Sequence, residues 1–357
     1  MFVYILLLLV PGICALLAPR TQLQIGQKTV RTDLTLPLFF LILLTLLCLR
    51  SIYVGNDTAA YKEIHETIPL LDMQQLLSSE FEPGYMLLSK LCLVISSDFR
   101  WLLFVVSVLA LLPLYVYYNK MSEDTFLTVV LFVAVTPFSM YFSGLRQILA
   151  MSLAIPAFCF ARKKQLVGFL AMVFLAIFFH TSAFVLLLLF PICFFKVTKK
   201  WLWFVLPAFL LVLTFNRTIF LFLLSNFGQI YSGDVTDTGA YTTLMLLAVF
   251  TVFCFVIPEE QQMDDETMAL RNVLLIALFL QPFAAINVLA MRFNYYFLIF
   301  IPVLIPRIIA RCKPQFATLC RIAVVVMTVA FVGYFYINLL EGGGLNIYPY
   351  VPFWRTV

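Results

Sequence analysis

The feature that most constrains this chain is its series of long apolar runs. About twelve runs of roughly twenty residues each follow one another along the sequence. Apolar residues are continuous within each run, which favours membrane-spanning helices over the alternating strands of a barrel. The sequence therefore predicts an all-α, polytopic integral membrane protein of about 12 transmembrane helices. The predicted spans lie near residues 2–18, 34–50, 100–118, 125–142, 145–161, 165–181, 182–195, 201–224, 241–257, 272–290, 293–309 and 316–337.

The basic residues divide unequally between the two sides that these spans create. Of the 23 Lys and Arg residues, fifteen lie on one side and eight on the other. Cytoplasmic loops carry the excess of positive charge, so the richer side is predicted to be cytoplasmic. The net charge of +5 then reflects topology and does not indicate nucleic-acid binding. With 63% hydrophobic and 11% charged residues, the composition excludes a soluble domain.

We expect residues 1–357 to form one membrane domain with two notable outer segments. Residues 51–99 form the larger one and include the apolar stretch Met86–Ile95, which is too short to span comfortably. This stretch is predicted to be an interfacial or re-entrant helix, and if it does span, every later orientation reverses. Residues 225–240 contain three glycines and two aspartates and are a candidate lid.

The stretch from Tyr141 to Gln147 places a cation at the start of an apolar run. Ser143 is predicted to cap the following helix, so that the first free backbone N–H groups point the same way as Arg146. A helix N-terminus beside a guanidinium binds anions. The alternative is an arginine that only snorkels from a helix end.

Three further polar features share a membrane face with Arg146 under this topology. They are His180 at the junction of two spans, Arg292 at the start of another, and Asp57 in the first outer loop. Each also has a structural interpretation: a capping histidine, an arginine paired with lipid headgroups, and a turn-forming aspartate. Glu82 can be a surface carboxylate, and His65 is expected in a solvated polar helix.

Glycosyl transfer from a diphosphate-linked donor fits this set of side chains. Arg146 and Arg292 can stabilise the charge that develops on the departing pyrophosphate. His180 suits the role of base toward the acceptor hydroxyl, because an imidazole ordinarily exchanges a proton near neutral pH. Asp57 is the second candidate base, or a group that orients the acceptor or His180. The eight cysteines show no metal-ligand spacing, and neither a metal nor a cofactor is predicted.

Five short motifs occur in one order along residues 50–300. The motifs are Gly55-Asn56-Asp57-Thr58-x-x-Tyr61, Glu82-Pro83-Gly84-Tyr85, Ser143-Gly144-Leu145-Arg146-Gln147, Phe179-His180-Thr181-Ser182-Ala183 and Arg292-Phe293-x-x-Tyr296-Phe297. At these motifs the chain resembles the EpsG-like, Wzy-type family of polysaccharide polymerases.

The resemblance implies a GT-C-like enzyme of the bacterial inner membrane. Such an enzyme joins undecaprenyl-diphosphate-linked repeat units of O-antigen, capsule or exopolysaccharide at the outer, periplasmic face, by inverting, metal-independent transfer. Its partners would be the lipid-linked donor and acceptor, membrane lipid and a Wzz-like chain-length co-polymerase. Candidate sugar or acceptor contacts are Gln147, Tyr61, Glu82, Tyr85, Asn294 and Tyr296.

Three other functions use related features. A flippase or other transporter of lipid-linked oligosaccharides should carry charges near mid-span and show internal symmetry, whereas the charges here lie at helix ends. An O-antigen ligase uses the same donor with a different acceptor. A membrane acyltransferase should pair its histidine with an acidic or Asn residue, and the sequence around His180 shows no such pair.

Overall fold

The structure is a computed structural model that describes residues 1–17, 22–25, 28–31, 33–227, 240–341 and 344–355. Helices dominate the described chain, as expected from its apolar runs. Most of the candidate lid, residues 228–239, lies outside the described residues. The α-helices are α1 Phe2–Leu17, α2 Thr35–Leu49, α3 Thr58–Thr67, α4 Met73–Leu77, α5 Pro83–Ile95, α6 Phe99–Met121, α7 Thr125–Val135, α8 Met140–Ser143, α9 Leu145–Ser152, α10 Ala154–Arg162, α11 Leu166–Phe179, α12 Leu189–Ile192, α13 Leu202–Phe227, α14 Tyr241–Val256, α15 Asp265–Ala284, α16 Val288–Leu298, α17 Ile301–Ala310 and α18 Ala317–Leu340.

One two-stranded sheet interrupts the helical pattern. Strands β1 (Gln22–Ile25) and β2 (Lys28–Arg31) pair antiparallel between α1 and α2. The prediction of an all-α protein is confirmed for the rest of the described chain, and only this short connection between helices departs from it. Four-residue strands bury too little apolar surface to leave a signal among long membrane runs.

Membrane-length helices account for about half of the predicted spans. Within the described residues, five helices are long and apolar enough to cross a membrane, or six if a helix pair bent by 42° counts as one span. The other six predicted spans coincide with apolar helices of 10–17 residues, so the total of twelve stays a prediction. The long helices are Phe99–Met121, Leu145–Arg162, Lys199–Phe222, Asp265–Ala284 and Pro314–Leu340, and the bent pair is Ala290–Leu298 with Ile301–Ala310.

The helical backbone is interrupted twice between residues 125 and 145, near the predicted anion site. Helix α7 ends at Val135 because Pro137 restricts the residue before it, and Thr136 is extended. Helix α8 is a short turn that ends at Gly144, and α9 follows directly. The first break interrupts the predicted span 125–142, and the second precedes the span-length helix Leu145–Arg162. Ser143 and Arg146 therefore lie at an interruption of the helical backbone.

Close backbone approaches at two glycines hold the segment 51–99 against the bundle. Gly55 has φ +90°, and a Cβ there would lie 2.0 Å from the carbonyl oxygen of Phe142. A Cβ at Gly84, in the first turn of α5, would lie 2.5 Å from the carbonyl oxygen of Phe178 in α11. Only glycine fits at either contact. They bring the loop before α3 to α8, and the start of α5 to the end of α11.

The predicted interfacial segment forms helix α5, of 13 residues. Pro83 occupies its first turn, where no backbone donor is needed. His65 in α3 packs onto α5, and its Nδ1 lies 2.6 Å from the Ser89 hydroxyl oxygen. His65 is fully buried, so the prediction of a solvated histidine was wrong. The periodicity of apolar residues along the sequence does not predict this contact, because the contact depends on how α3 packs against α5.

Candidate active site

A cavity of about 190 Å³ lies where α3, α9 and α16 approach the junction between α11 and the 3₁₀ helix Thr181–Leu188. It brings together the four features that the sequence placed on one face: Asp57, Arg146, His180 and Arg292. These residues come from four separate segments of the chain. Ala60, Tyr61, Phe81, Met140, Gly144 and Gln147 complete the lining.

Glu82 links the histidine and the first arginine of this cavity. One carboxylate oxygen, Oε1, lies 2.7 Å from Nδ1 of His180 and accepts a hydrogen bond of 3.1 Å from the backbone N–H of Thr181. The other, Oε2, accepts from Nη1 of Arg146. The Glu82 side chain is only 10% exposed, so the interpretation as a surface carboxylate was wrong.

The pKa of the Glu82 carboxyl reflects these neighbours. Burial alone would raise it, but the hydrogen bond from His180 and the charge of Arg146 outweigh burial and lower the pKa to about 2. Glu82 is therefore a carboxylate at every physiological pH. Because a carboxylate only accepts hydrogen bonds, the short contact places a proton on Nδ1 of His180.

The tautomer that Glu82 imposes leaves a basic nitrogen at Nε2 of His180. In the neutral ring, the proton on Nδ1 makes Nε2 the acceptor. Nε2 is buried and has no hydrogen-bond partner among the described residues. Sequence analysis missed this acid–histidine pair, because 98 positions separate its members. The expectation that His180 lacks an acidic partner was wrong, and Glu82, not Asp57, orients the ring.

Aromatic side chains hold Arg146 within the cavity. Its Nε donates to the hydroxyl of Tyr61 at 3.3 Å, and its guanidinium lies 4.3 Å from the ring centre of Phe81. Together with Glu82, these contacts keep the side chain 78% buried, since only 22% of it is exposed. This packing does not fit the alternative in which Arg146 only snorkels from a helix end.

Ser143 and Asp57 form a second polar contact at the cavity wall. The Ser143 hydroxyl donates to Oδ2 of Asp57 at 3.0 Å and accepts from the Asp57 backbone N–H at 3.1 Å. Helix α9 is preceded by Gly144, and no side-chain capping hydrogen bond is found there in the described structure. The prediction of Ser143 as a helix cap was therefore wrong, since its hydroxyl binds the outer loop instead.

Arg292 is the second cation of the cavity. No carboxylate of the described chain forms an ion pair with it, in contrast to Arg146. Gln147 fixes its backbone, because Nε2 of Gln147 donates to the Arg292 carbonyl at 3.1 Å. The cavity thus contains one compensated and one uncompensated guanidinium.

The family model that describes the EpsG family matches residues 33–351. The chain belongs to the EpsG family. It is therefore a polymerase-like membrane protein of polysaccharide biosynthesis, a family associated with glycosyltransferase-like activity. No curated protein and no solved structure matches the chain.

Three of the predicted sugar contacts of this EpsG-family chain lie behind the cavity wall. Tyr85 is buried, and its ring packs 5.1 Å from that of Tyr61. The Tyr296 hydroxyl lies 2.8 Å from that of Ser182, which joins α16 to the 3₁₀ helix. Asn294 faces α15 and donates to the carbonyl of Ala277. These side chains support the cavity without lining it.

The other three predicted sugar or acceptor contacts lie at the cavity: they are Tyr61, Gln147 and Glu82. Tyr61 and Gln147 line it, and Glu82 reaches its lining residues Arg146 and His180. Sequence analysis did not single out Phe81 or Met140 as lining residues, although Phe81 directly precedes a family motif. In the described part of the chain, no group of three or more His, Cys, Asp and Glu residues is arranged to hold a metal ion.

Proposed function

We propose that this EpsG-family protein joins undecaprenyl-diphosphate-linked oligosaccharide units into O-antigen, capsular polysaccharide or exopolysaccharide. The observation that carries the proposal is the cavity that holds His180 beside Arg292. Glu82 directs the proton of His180 to Nδ1, and within the described residues Nε2 has no hydrogen-bond partner and Arg292 has no carboxylate partner. A base and an anion-binding group within one cavity are the two elements that transfer from a diphosphate-linked sugar requires.

The proposed reaction is a single displacement. Nε2 of His180 takes the proton of an acceptor hydroxyl, and the oxygen attacks the anomeric carbon of the donor sugar. The bond from that carbon to the diphosphate oxygen breaks, and undecaprenyl diphosphate leaves with the electron pair. Attack from the face opposite the leaving group inverts the anomeric centre. Glu82 stabilises the imidazolium that forms, as a carboxylate does for a protonated histidine in acyl transfer.

The two arginines divide the work of binding the diphosphate. Arg292 has no carboxylate partner in the described chain, so it is the main partner for the negative charge that develops on the leaving group. Arg146 contacts Glu82 and also lines the cavity. It adds positive charge to the diphosphate site and keeps Glu82 ionised. Transfer in this proposal relies on these cations and needs no metal.

Asp57 is the alternative base. Its Oδ2 accepts from Ser143, so the carboxylate is held at the cavity wall with a second oxygen available. A buried imidazole has a more suitable ordinary pKa for proton transfer near neutrality than a carboxylate has. We therefore assign the proton transfer to His180 and the orientation of the acceptor to Asp57.

The unequal distribution of basic residues supports placing the cavity at the outer face of the inner membrane. Donor and acceptor then reach the site as lipid-linked units in the outer leaflet. A Wzz-like co-polymerase is the proposed partner that sets chain length. A flippase that moves these units between leaflets, and a ligase that transfers finished chains, remain the competing functions because they handle the same diphosphate.

A specific observation also favours a membrane acyltransferase as a second candidate. The pair of Glu82 and His180 supplies the acid–histidine arrangement that such an enzyme requires. Acyl transfer from a thioester donor does not release a diphosphate, and it gives no role to two arginines in the same cavity. The arginine variants described below therefore separate the two candidates.

The test of the proposed function is the surface glycan of a strain that lacks the gene, resolved by size on a gel. A change from a ladder to single repeat units is expected for a polymerase. Polymerised glycan that accumulates on lipid would show a ligase, and single units confined to the cytoplasmic leaflet would show a flippase. A normal ladder that lacks only acyl groups would show an acyltransferase.

A further inference from the structure

Two hydrogen-bond acceptors at the cavity have no partner within the described residues. One is Nε2 of His180, and the other is Oε1 of Gln147. Both atoms are buried, both residues line the cavity, and the Gln147 residue is only 2% exposed. A buried acceptor without a donor costs free energy, so native proteins rarely keep one unless a ligand or water satisfies it.

The orientation of the Gln147 amide is fixed by its other contact. Nε2 lies 3.1 Å from the carbonyl oxygen of Arg292, which can only accept a hydrogen bond. The nitrogen must therefore face Arg292, and the unpartnered atom is the oxygen. Gln147 lies in the first turns of α9, one residue after Arg146, so the helix backbone holds it in place.

The chemistry of these two acceptors differs from that of the arginines. An ionised diphosphate has no hydrogen to donate, so it can satisfy the arginines but neither Gln147 nor His180. Sugar hydroxyls donate, and each acceptor can take one. The cavity thus offers cations for the diphosphate and acceptors for hydroxyl groups.

We infer that Oε1 of Gln147 accepts a hydrogen bond from a second hydroxyl of the acceptor sugar, whose first hydroxyl is deprotonated by His180. This inference rests on the proposed function and adds a requirement to it. The acceptor sugar must carry a free hydroxyl besides the one that reacts. Gln147 is a specificity-determining residue, because a sugar that lacks this hydroxyl leaves its buried oxygen unmatched.

The inference is tested by binding two probes to the purified full-length protein in lipid nanodiscs. The first probe is the repeat-unit oligosaccharide without its diphosphate, released by mild acid from the lipid that accumulates in the deletion strain. The second is inorganic pyrophosphate. Gln147→Met keeps a similar shape and removes the acceptor. We expect it to weaken oligosaccharide binding about tenfold while pyrophosphate binding stays unchanged.

A matched control removes a buried glutamine elsewhere in the bundle. Gln281 is fully buried, and its Oε1 accepts from Asn294 at 2.6 Å, away from the cavity. Gln281→Met should lower stability but leave the binding of both probes at the wild-type level. This control separates the loss of a buried amide in general from the loss of the acceptor in the cavity.

Two outcomes would overturn the inference while the proposed function stands. One is equal oligosaccharide binding by wild type and Gln147→Met, and the other is an absence of saturable oligosaccharide binding to wild type. A failure of the proposed function has a different signature. In that case Arg292→Ala would bind pyrophosphate as well as wild type does, whatever the oligosaccharide result.

Discussion

Replacing Glu82 with glutamine removes one charge from the centre of the candidate site while keeping the shape of the side chain. The carboxylate accepts hydrogen bonds from His180 at 2.7 Å, from the Thr181 backbone at 3.1 Å, and from Arg146. An amide oxygen can still accept from the ring of His180, but it carries no charge, and the amide NH2 then faces Nη1 of Arg146 and cannot accept from it. The variant therefore removes the charge of Glu82 and its hydrogen bond with Arg146 while keeping the packing of the side chain.

The expected size of the effect follows from these contacts. Hydrogen bonds to charged groups contribute about 1.5–3 kcal/mol, against about 1 kcal/mol for neutral pairs. Arg146 keeps its contacts with Tyr61 and Phe81 and is partly exposed, which limits the loss. We expect the free energy of unfolding to fall by about 2 kcal/mol. Turnover should fall by about 10²- to 10⁴-fold, because the imidazolium of His180 loses its counter-charge.

The pH dependence of the stability difference provides a second test. The pKa of Glu82 falls from an ordinary value of 4.5 to about 2 in the folded protein. The unfolded chain therefore binds the proton more readily, and the stabilisation is complete above pH 4.5. It is lost as the pH falls through the folded pKa of about 2. The difference in stability between wild type and Glu82→Gln should narrow over this window.

The assays are thermal unfolding in detergent at several pH values and polymer formation by the purified protein. A matched control is Glu66→Gln, because Glu66 is exposed and pairs only with Lys62 at 2.8 Å in the described structure. That change should cost about 0.5 kcal/mol or less and leave turnover intact. Wild-type turnover in Glu82→Gln would refute the role of the carboxylate, whatever its effect on stability.

Three further substitutions test the roles of the cavity side chains. Arg292→Ala should abolish polymer while the protein stays inserted at normal levels, because the diphosphate loses its uncompensated cation; a normal ladder on a glycan gel would contradict this. Arg146→Lys should keep part of the activity, because a lysine keeps the charge but lacks the planar fork of donors with which a guanidinium contacts Glu82, Tyr61 and a ligand; full activity would show that charge alone suffices. His180→Gln should bind pyrophosphate normally but lose turnover, measured with purified protein; wild-type turnover would transfer the role of base to Asp57 or to no side chain.

The sequence predicted the components of the site better than their connections. Arg146, His180 and Arg292 stood out because each lies at an end of an apolar run and all three share one membrane face under the predicted topology. The structure places all three in one cavity. The role of each residue stays a prediction, while membership in the EpsG family is confirmed over residues 33–351.

The connections could not be predicted because they are tertiary contacts between distant segments. Ser143 is a sound helix cap by local rules, yet its hydroxyl binds Asp57, 86 positions away. The burial of His65 likewise depends on the docking of α3 against α5. Helix ends near Pro137 and Gly144 depend on local backbone restrictions that a search for apolar runs does not register.

The contacts that join Glu82 to His180 and Gln147 to Arg292 span 98 and 145 positions of the chain. While the chain is being synthesised and inserted, the ring of His180 emerges after its carboxylate partner and remains unoriented until α5 and α11 meet at Gly84. The cavity is complete only after α16 has joined the bundle. A chain that ends before α16 lacks Arg292 and the complete cavity, so under the proposed function we expect it to be inactive.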